Sequence, residues 1–307
     1  MRTRIRLGTR GSRLALAQTR LVVDLLEASH EDLEVVTVPL KTLGDLLPPE
    51  RIREVDGKIA FTGEIEKQLL ARKIDAAVHS MKDLPTKLDD RLVVAATPKR
   101  GDARDALVSK ERLPLRKVKA GARIGTSSVR RRAQLLAIRG DLKVVEIHGN
   151  VETRIRKIAG EGLEGVVLAA AGLKRMGLDS EISEIFETGE IVPAVCQGIL
   201  AVEVREDDEA TTDILRAIDD PDARAASLCE RAFAEELGGD CHVPLGAFAW
   251  PSGESLGVVG MVASIDGRKI VKERESGAST DAETIGRRLA GKVQESGGRV
   301  ILEELKP

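Results

Sequence analysis

Tyrosine is absent from this 307-residue chain, which also holds only one Trp and four Phe, so aromatics make up 2% of it. A core without aromatic bulk must be built from Leu, Ile, Val and Ala, and a surface so poor in rings offers no stacking platform for bases. A dominant charge is missing too: 48 Lys and Arg stand against 50 Asp and Glu, for a formal net charge of −2. General nucleic-acid binders carry a basic excess, so no nucleic-acid partner is expected. Long apolar runs are lacking. Leu14-Ala-Leu-Ala17, behind the basic start Met1-Arg-Thr-Arg-Ile-Arg6, is far too short for a signal-peptide core. No run approaches a membrane-spanning length, which leaves the expectation of a cytoplasmic protein with no membrane partner. Three cysteines, Cys196, Cys229 and Cys241, leave one unpaired under any disulfide scheme, and no Cys-x-x-Cys pair is present. With the four His scattered, neither a disulfide framework nor a metal site is expected, and buried reduced thiols suit Cys196 and Cys229.

What is present is an alternation of short apolar runs with longer helical patterns, the mark of a mostly parallel α/β sheet. Strands are expected at Arg4–Gly8, Glu34–Leu40, Asp75–His79 and Leu92–Thr97. A helix capped by Ser12 is expected between the first two, with Leu14, Ala17, Leu21 and Leu25 on its apolar face. A second helix is expected over Phe61–Lys73. Between them Leu43–Lys58, with its Pro-Pro pair, two Gly and many charges, has no clean period and reads as a loop over a site. After a crossing at Pro98-Lys-Arg-Gly-Asp102 the style repeats, with strands at Arg123–Gly125, Lys143–His148 and Gly165–Ala170 and helices at Ser127–Ile138 and Val151–Ala159. A second crossing, Ile191–Gly198, leads to a strand at Ile199–Val204 that returns to the first sheet. From about Pro221 the pattern becomes helix, three strands, helix. The expected fold class is therefore α/β: one lobe over 1–98 and 199–218, a second over 99–198, and a small α+β domain over 219–307. Two lobes joined by two crossings imply a cleft for a ligand.

Three strand-to-helix turns have a composition that favours anions: Gly8-Thr-Arg-Gly-Ser-Arg13, Gly125-Thr-Ser-Ser-Val-Arg-Arg-Arg132 and His148-Gly-Asn-Val-Glu-Thr-Arg154. Small and hydroxyl residues leave backbone N–H groups approachable at a helix start, and Arg matches a carboxylate fork. The bland alternative for Arg130, Arg131 and Arg132 is a solvated helix face, and it must hold for at least one, since consecutive residues point in different directions. His79-Ser-Met-Lys-Asp83 places Lys82 and Asp83 at the carboxyl edge of a strand, where open α/β sheets bind ligands. Asp83 there suits general acid/base work or stabilisation of a cation, with an exposed ion pair as the alternative. His79 reads as structural. Cys241, after Gly238-Gly-Asp240, sits where a loop could present a thiol, although a lone loop cysteine is usually inert.

In chain order, Thr9-Arg-Gly-Ser-Arg-Leu-Ala-Leu-Ala-Gln18, Ala77-Val-His-Ser-Met-Lys-Asp-Leu-Pro85, Ile124-Gly-Thr-Ser-Ser-Val-Arg-Arg131, Gly149-Asn-Val-Glu-Thr-Arg154, Ala169-Ala-Ala-Gly-Leu-Lys-Arg-Met-Gly177 and Cys241-His-Val-Pro-Leu-Gly246 resemble the porphobilinogen deaminase (hydroxymethylbilane synthase) family. The resemblance implies two lobes built like periplasmic binding proteins, joined by a crossing hinge, plus the α+β C-terminal domain. It implies a dipyrromethane cofactor bound covalently to Cys241 and a monomer acting on porphobilinogen. Four porphobilinogens are condensed head to tail with loss of ammonia, and linear hydroxymethylbilane is released. By the same resemblance Asp83 is the catalytic acid. Lys82, Asp83, Thr126, Ser128, Arg130 and Arg131 hold the cofactor. Arg10, Ser12, Arg154 and Arg175 bind substrate carboxylates, with His148 and Gln197 as weaker contacts, and Lys58 and Phe61 belong to a lid.

Four positions depart from the family pattern. His148 replaces the usual Arg, and Cys196 replaces the first Gly of Pro-Ala-x-Gly-Gln-Gly, which puts a competing thiol near the expected cleft. Asp240 precedes Cys241, and the lid segment reads Gly57-Lys-Ile-Ala-Phe61. The rival reading is a two-lobed anion-binding or sensor protein without catalysis, which would explain the cationic turns but not Asp83 or the third domain.

Overall fold

The computed structural model describes residues 4–46, 59–238 and 243–305. The chain divides into two compact units, Met1–Gly101 with Gly198–Arg224, and Asp102–Gln197 with Ala225–Pro307.

The first unit is a five-stranded sheet of β1 (Arg4–Arg10), β2 (Glu34–Leu40), β3 (Ala76–Ser80), β4 (Leu92–Ala96) and β10 (Leu200–Arg205), in the order β2-β1-β3-β10-β4. β1 runs parallel to β2 and β3, whereas β10 is antiparallel to both its neighbours. The returning strand is thus an interior one, and all six of its residues are buried, Glu203 among them. A strand covered on both faces needs a near-continuous apolar run, which Leu200-Ala-Val and Val204 supply.

Helix Arg13–Ser29 starts as expected, with the Ser12 hydroxyl accepting the Ala15 N–H at 3.2 Å. Its buried face is different from the expected one. Gln18, Thr19, Val22, Val23 and Leu26 face the core, while Leu21 and Leu25 are exposed. The helix has two apolar stripes, and the sheet selected the one whose polar members could be satisfied. Gln18 Nε2 donates to Ser80 Oγ at 2.8 Å, and Thr19 Oγ1 donates to the Ala15 carbonyl at 2.9 Å. In the expected loop Leu43–Lys58, residues Leu43–Leu46 form a short helix, and 47–58 lie outside the described residues.

The second unit holds a sheet of the same design: β5 (Asp105–Ser109), β6 (Arg123–Gly125), β7 (Lys143–Val145), β8 (Gly165–Ala169) and β9 (Glu184–Ile185), in the order β7-β6-β8-β5-β9. β6 is parallel to β7 and β8, and β5 is antiparallel to β8 and β9. In each sheet the fourth position belongs to the strand the chain forms on entering that unit. β5 and β9 were not expected from the sequence, nor were the helices Ala170–Arg175 and Glu209–Leu215. With β5 and β10 in place, neither sheet is purely parallel.

The same unit carries helix Pro221–Glu236 from Ala225 onward, an antiparallel meander of β11 (Leu245–Ser252), β12 (Ser255–Ala263) and β13 (Ile270–Ala278), and helix Ala282–Val293. Pro221 opens its helix at the position where a missing N–H costs nothing. Gly260 of β12 must be glycine, because a Cβ there would lie 2.6 Å from the Phe233 ring. The helix after β13 does not stop at Val293. It passes through a turn with Gly297 at φ +105° and resumes over Arg299–Glu304. No helix among the described residues is long and apolar enough to cross a membrane.

Candidate carboxylate-binding site

In the first unit the expected residues gather at the carboxyl ends of β1 and β3. Arg10 is the last residue of β1, and its Nη2 pairs with Oδ1 of Asp45, the third residue of the short helix. Asp45 Oδ2 accepts from Thr42 N–H at 3.1 Å and Thr42 Oγ1 at 2.8 Å. Lys82 and Asp83 lie in a single 3₁₀ turn, Met81–Asp83, which follows β3 directly. The turn is pinned at both ends. Met81 N–H donates to the Ile199 carbonyl at 3.0 Å, Leu84 N–H closes on the Met81 carbonyl at 3.1 Å, and both apolar side chains are buried. Between these anchors Lys82 is half-buried and Asp83 exposed, so a carboxylate is presented to solvent from a fixed backbone. Behind it His79 is buried with Nε2 3.2 Å from Glu203 Oε2. Glu66, on the helix Ile59–Leu70, faces the same pair. Burial pushes its carboxyl up, and Glu203 adds to this, while a hydrogen bond from Thr62 and the charge of His79 oppose it. Phe61 falls in the first turn of that helix, and Lys58 lies outside the described residues.

In the second unit the centre is a residue that the sequence reading missed. Asp105, the first residue of β5, is fully buried and takes three guanidinium contacts. Arg130 Nη1 donates to its Oδ2 at 2.8 Å, and Arg131 Nε and Nη2 donate to its Oδ1 at 2.9 and 2.8 Å. Gln197 Nε2 adds a fourth hydrogen bond to Oδ1 at 2.9 Å. Burial alone would push Asp105 up, but the two guanidinium charges hold it well below the usual carboxylate range. The pairing continues to backbone, with Arg130 reaching the Val192 carbonyl at 2.6 Å and Arg131 the Val167 carbonyl at 3.1 Å. The solvated-face alternative therefore fails for Arg130 and Arg131 and holds for Arg132, which is exposed. The signal that could have located Asp105 is an acid opening a short apolar run, Ala106-Leu-Val108, directly after a crossing.

The remaining residues surround this centre in sequence rather than through shared contacts. Thr126 is buried, its Oγ1 accepting the Ser128 N–H at 3.2 Å, and Ser128 caps helix Val129–Ile138 through the Arg131 N–H at 3.3 Å. Asn150 caps Val151–Gly160, and Arg154 Nε folds back to the Gly149 carbonyl at 2.8 Å. Gly149 has φ +114°, and a Cβ there would lie 2.7 Å from Thr153, so the tight turn requires glycine. His148 is partly exposed beside Glu146, with Nε2 3.2 Å from Oε1. Arg175 ends helix Ala170–Arg175, and burial pushes its guanidinium down to about 10.

The thiols separate cleanly. Cys229 is buried, and desolvation with the nearby Glu230 charge pushes it up to about 12, which makes it inert at neutral pH. Cys196 is also buried, its Sγ directed at the Ser227 carbonyl 3.8 Å away, so the thiol expected to compete near the cleft is enclosed by protein. Cys241 and Asp240 lie outside the described residues.

Helix starts that carry arginines and a pinned turn that carries Lys82 and Asp83, on two mixed sheets, define an α/β protein. The profile described as "Porphobilinogen deaminase, dipyromethane cofactor binding domain" matches residues 5–213, and "Porphobilinogen deaminase, C-terminal domain" matches residues 225–295. The chain belongs to the porphobilinogen deaminase family. It is 46% identical over 306 residues to the porphobilinogen deaminase of Syntrophomonas wolfei, covering 98% of this chain and 99% of that one. The enzymes of Roseiflexus castenholzii and Geobacter sulfurreducens are each 43% identical over 302 residues, covering 98% of this chain and 99% and 95% of theirs. Among solved structures, the methionine-binding protein MetQ aligns at TM-score 0.44 and 13% identity, over 81% of this chain and 99% of that one. The chain is accordingly a transferase with a dipyrromethane-binding domain, and the non-catalytic alternative is not favoured.

Proposed function

We propose that this chain condenses four porphobilinogen molecules head to tail, with loss of one ammonia at each step, and releases hydroxymethylbilane by hydrolysis. When bound as a thioether on Cys241, the dipyrromethane cofactor supplies the primer from which the polymer grows. The residues present fit a group bearing several carboxylates. Arg130 Nε is buried without a hydrogen-bond partner, and Thr126 and Ser128 use their hydroxyl oxygens as acceptors, which leaves each O–H to donate.

The rest of the chemistry falls to this chain's own side chains. Lys82, Arg10, Ser12, Arg154 and Arg175 take the acetate and propionate carboxylates of the pyrroles, with His148 in weaker contact; Gln197, fully buried and bonded to Asp105 and the Ala103 carbonyl, orients Asp105 instead of reaching substrate. Asp83 stabilises the cationic methylene-pyrrolenine left when porphobilinogen loses ammonia. A carboxylate fixed by the backbone of the Met81–Asp83 turn needs no reorganisation as that charge develops. By the family resemblance Lys58 and Phe61 belong to a lid. The division into domains 1–98 with 199–218, 99–198 and 219–307 belongs to this reading, as do the monomeric state and cytoplasmic location.

The observation that supports the reading most is Asp83 held on a rigid turn beside Lys82 in a chain of this family. Intact mass of the purified protein, followed by a peptide map over Cys196, Cys229 and Cys241, tests it. A two-pyrrole increment on the Cys241 peptide is expected. An unmodified Cys241 after incubation with porphobilinogen would overturn the attachment, and an increment on Cys196 would move it.

A further inference from the structure

Arg10 already holds a carboxylate. The guanidinium pairs with Asp45, and Thr42 fixes the other carboxylate oxygen through its N–H and its hydroxyl. Burial pushes Asp45 up, but the hydrogen bonds from Arg10 and Thr42 outweigh it and hold the group below the usual carboxylate range. The pair is therefore charged on both sides at neutral pH.

This arrangement differs from the one at Asp105 in a way that decides what each can do. Asp105 is sealed between Arg130 and Arg131, and opening that contact would strand buried charge. Arg10 and Asp45 keep 28% and 27% of their side-chain surface exposed, so their contact is weak and open to exchange. The contact involves Oδ1 of Asp45 alone, so it can open while Oδ2 keeps its bonds to the buried Thr42.

We propose that Asp45 occupies the place of a substrate carboxylate at Arg10, and that porphobilinogen binds there by displacing it. The proposal rests on the reading of Arg10 as a substrate contact. The exchange is one carboxylate for another. No proton moves, and the charge on Arg10 is balanced before and after. Asp45 thereby sets the apparent affinity, since a site populated in its competent form for only part of the time binds more weakly by that fraction. It also makes the site selective. A ligand lacking the carboxylate gains nothing by displacing Asp45, so the built-in competitor penalises neutral analogues more than acidic ones.

The test is steady-state kinetics on the holoenzyme with porphobilinogen. Asp45→Asn retains an oxygen to accept from Thr42 and loses the charge that holds Arg10. It is expected to lower KM by about two- to fivefold with kcat unchanged, the range that follows from a weak ion pair. Asp45→Glu, which keeps the charge, should restore KM toward that of the parent. Thr42→Val removes one of the bonds orienting Asp45 and gives an independent route to the same fall in KM. An unchanged or raised KM in Asp45→Asn and Thr42→Val, while Arg10→Gln raises KM, overturns the proposal and leaves the reading of Arg10 intact. If Arg10→Gln also leaves KM unchanged, Arg10 is no substrate contact and both fall together.

Discussion

The backbone N–H of Cys196 donates to Oε2 of the fully buried Glu230 at 2.5 Å, and the other oxygen of that carboxylate accepts the Ala249 N–H at 2.8 Å. One side chain of helix Pro221–Glu236 thus ties the segment Pro193–Gly198 to strand β11. To make this contact Cys196 adopts φ +59°, a left-handed conformation that disfavours any side chain. The glycine usual at this position in the family is therefore explained by the backbone, and Cys196 is a strained substitute for it.

Cys196→Gly should leave stability within about 1 kcal/mol, because relief of the left-handed strain offsets the greater chain entropy of Gly and the lost thiol packing. Cys196→Val, β-branched at positive φ, should cost about 2–3 kcal/mol. Denaturant midpoints measured on both variants check the pair. Equal losses would mean that packing of the thiol, and not φ, governs the position.

Arg130→Ala should destabilise the protein by about 3–5 kcal/mol, since it removes one partner of a buried ion pair and leaves the Val192 carbonyl without this donor. As a cofactor contact alone, Arg130 would affect turnover more than stability. Burial reverses that order. Urea denaturation of the variant decides it, and a midpoint close to that of the parent would restore the ligand-contact role as the main one.

Glu66 should make stability depend on pH with a definite sign. Its folded-state pKa is raised, chiefly by burial and by Glu203, so the folded state retains the proton longer than the unfolded chain. Stability from this group is complete below the unfolded carboxylate value and is lost as pH rises through the folded one. Glu66→Gln, which stays neutral, should therefore gain on the parent as pH is raised from about 4.5 to 8. Melting curves of the two proteins across that window test this, and a constant difference would remove Glu66 as the source.

Asp83→Asn should lower kcat by about 10²- to 10⁴-fold, the range for loss of a positioned acid or base. Stability should change by no more than about 0.5 kcal/mol, because the side chain is exposed and the turn is held by backbone bonds and by Met81 and Leu84. Single-turnover kinetics with a thermal melt separates the two effects. Substantial activity in the folded variant would defeat the role assigned to Asp83.

Much of the fold was legible from local pattern. β1, β2, β3, β4 and β10 were each found within a few residues, because apolar runs bounded by polar turns state their own period. Strand β5 escaped because its short apolar run is flanked by Arg104 and Lys110 and has no turn signal of its own. The buried face of helix Arg13–Ser29 escaped for another reason. Period identifies an amphipathic helix, yet with leucines on two faces it cannot tell which stripe the sheet will cover. Of the candidate site, the turn at Lys82 and Asp83 and the caps at Ser12, Ser128 and Asn150 were readable, since each depends on neighbours within four residues.

The sequence by itself determined most of the strands and helices, the caps, the family and the placing of Asp83 at a strand end, all properties of short stretches of chain. Only the tertiary structure decided which cations were already neutralised. Asp105 reaches Arg130 and Arg131 across 25 and 26 residues, Asp45 reaches Arg10 across 35, and Glu230 reaches Cys196 across 34. Such pairings arise when sheets and helices bring distant segments together. Their strength depends on how much water is then excluded, a quantity no local pattern contains.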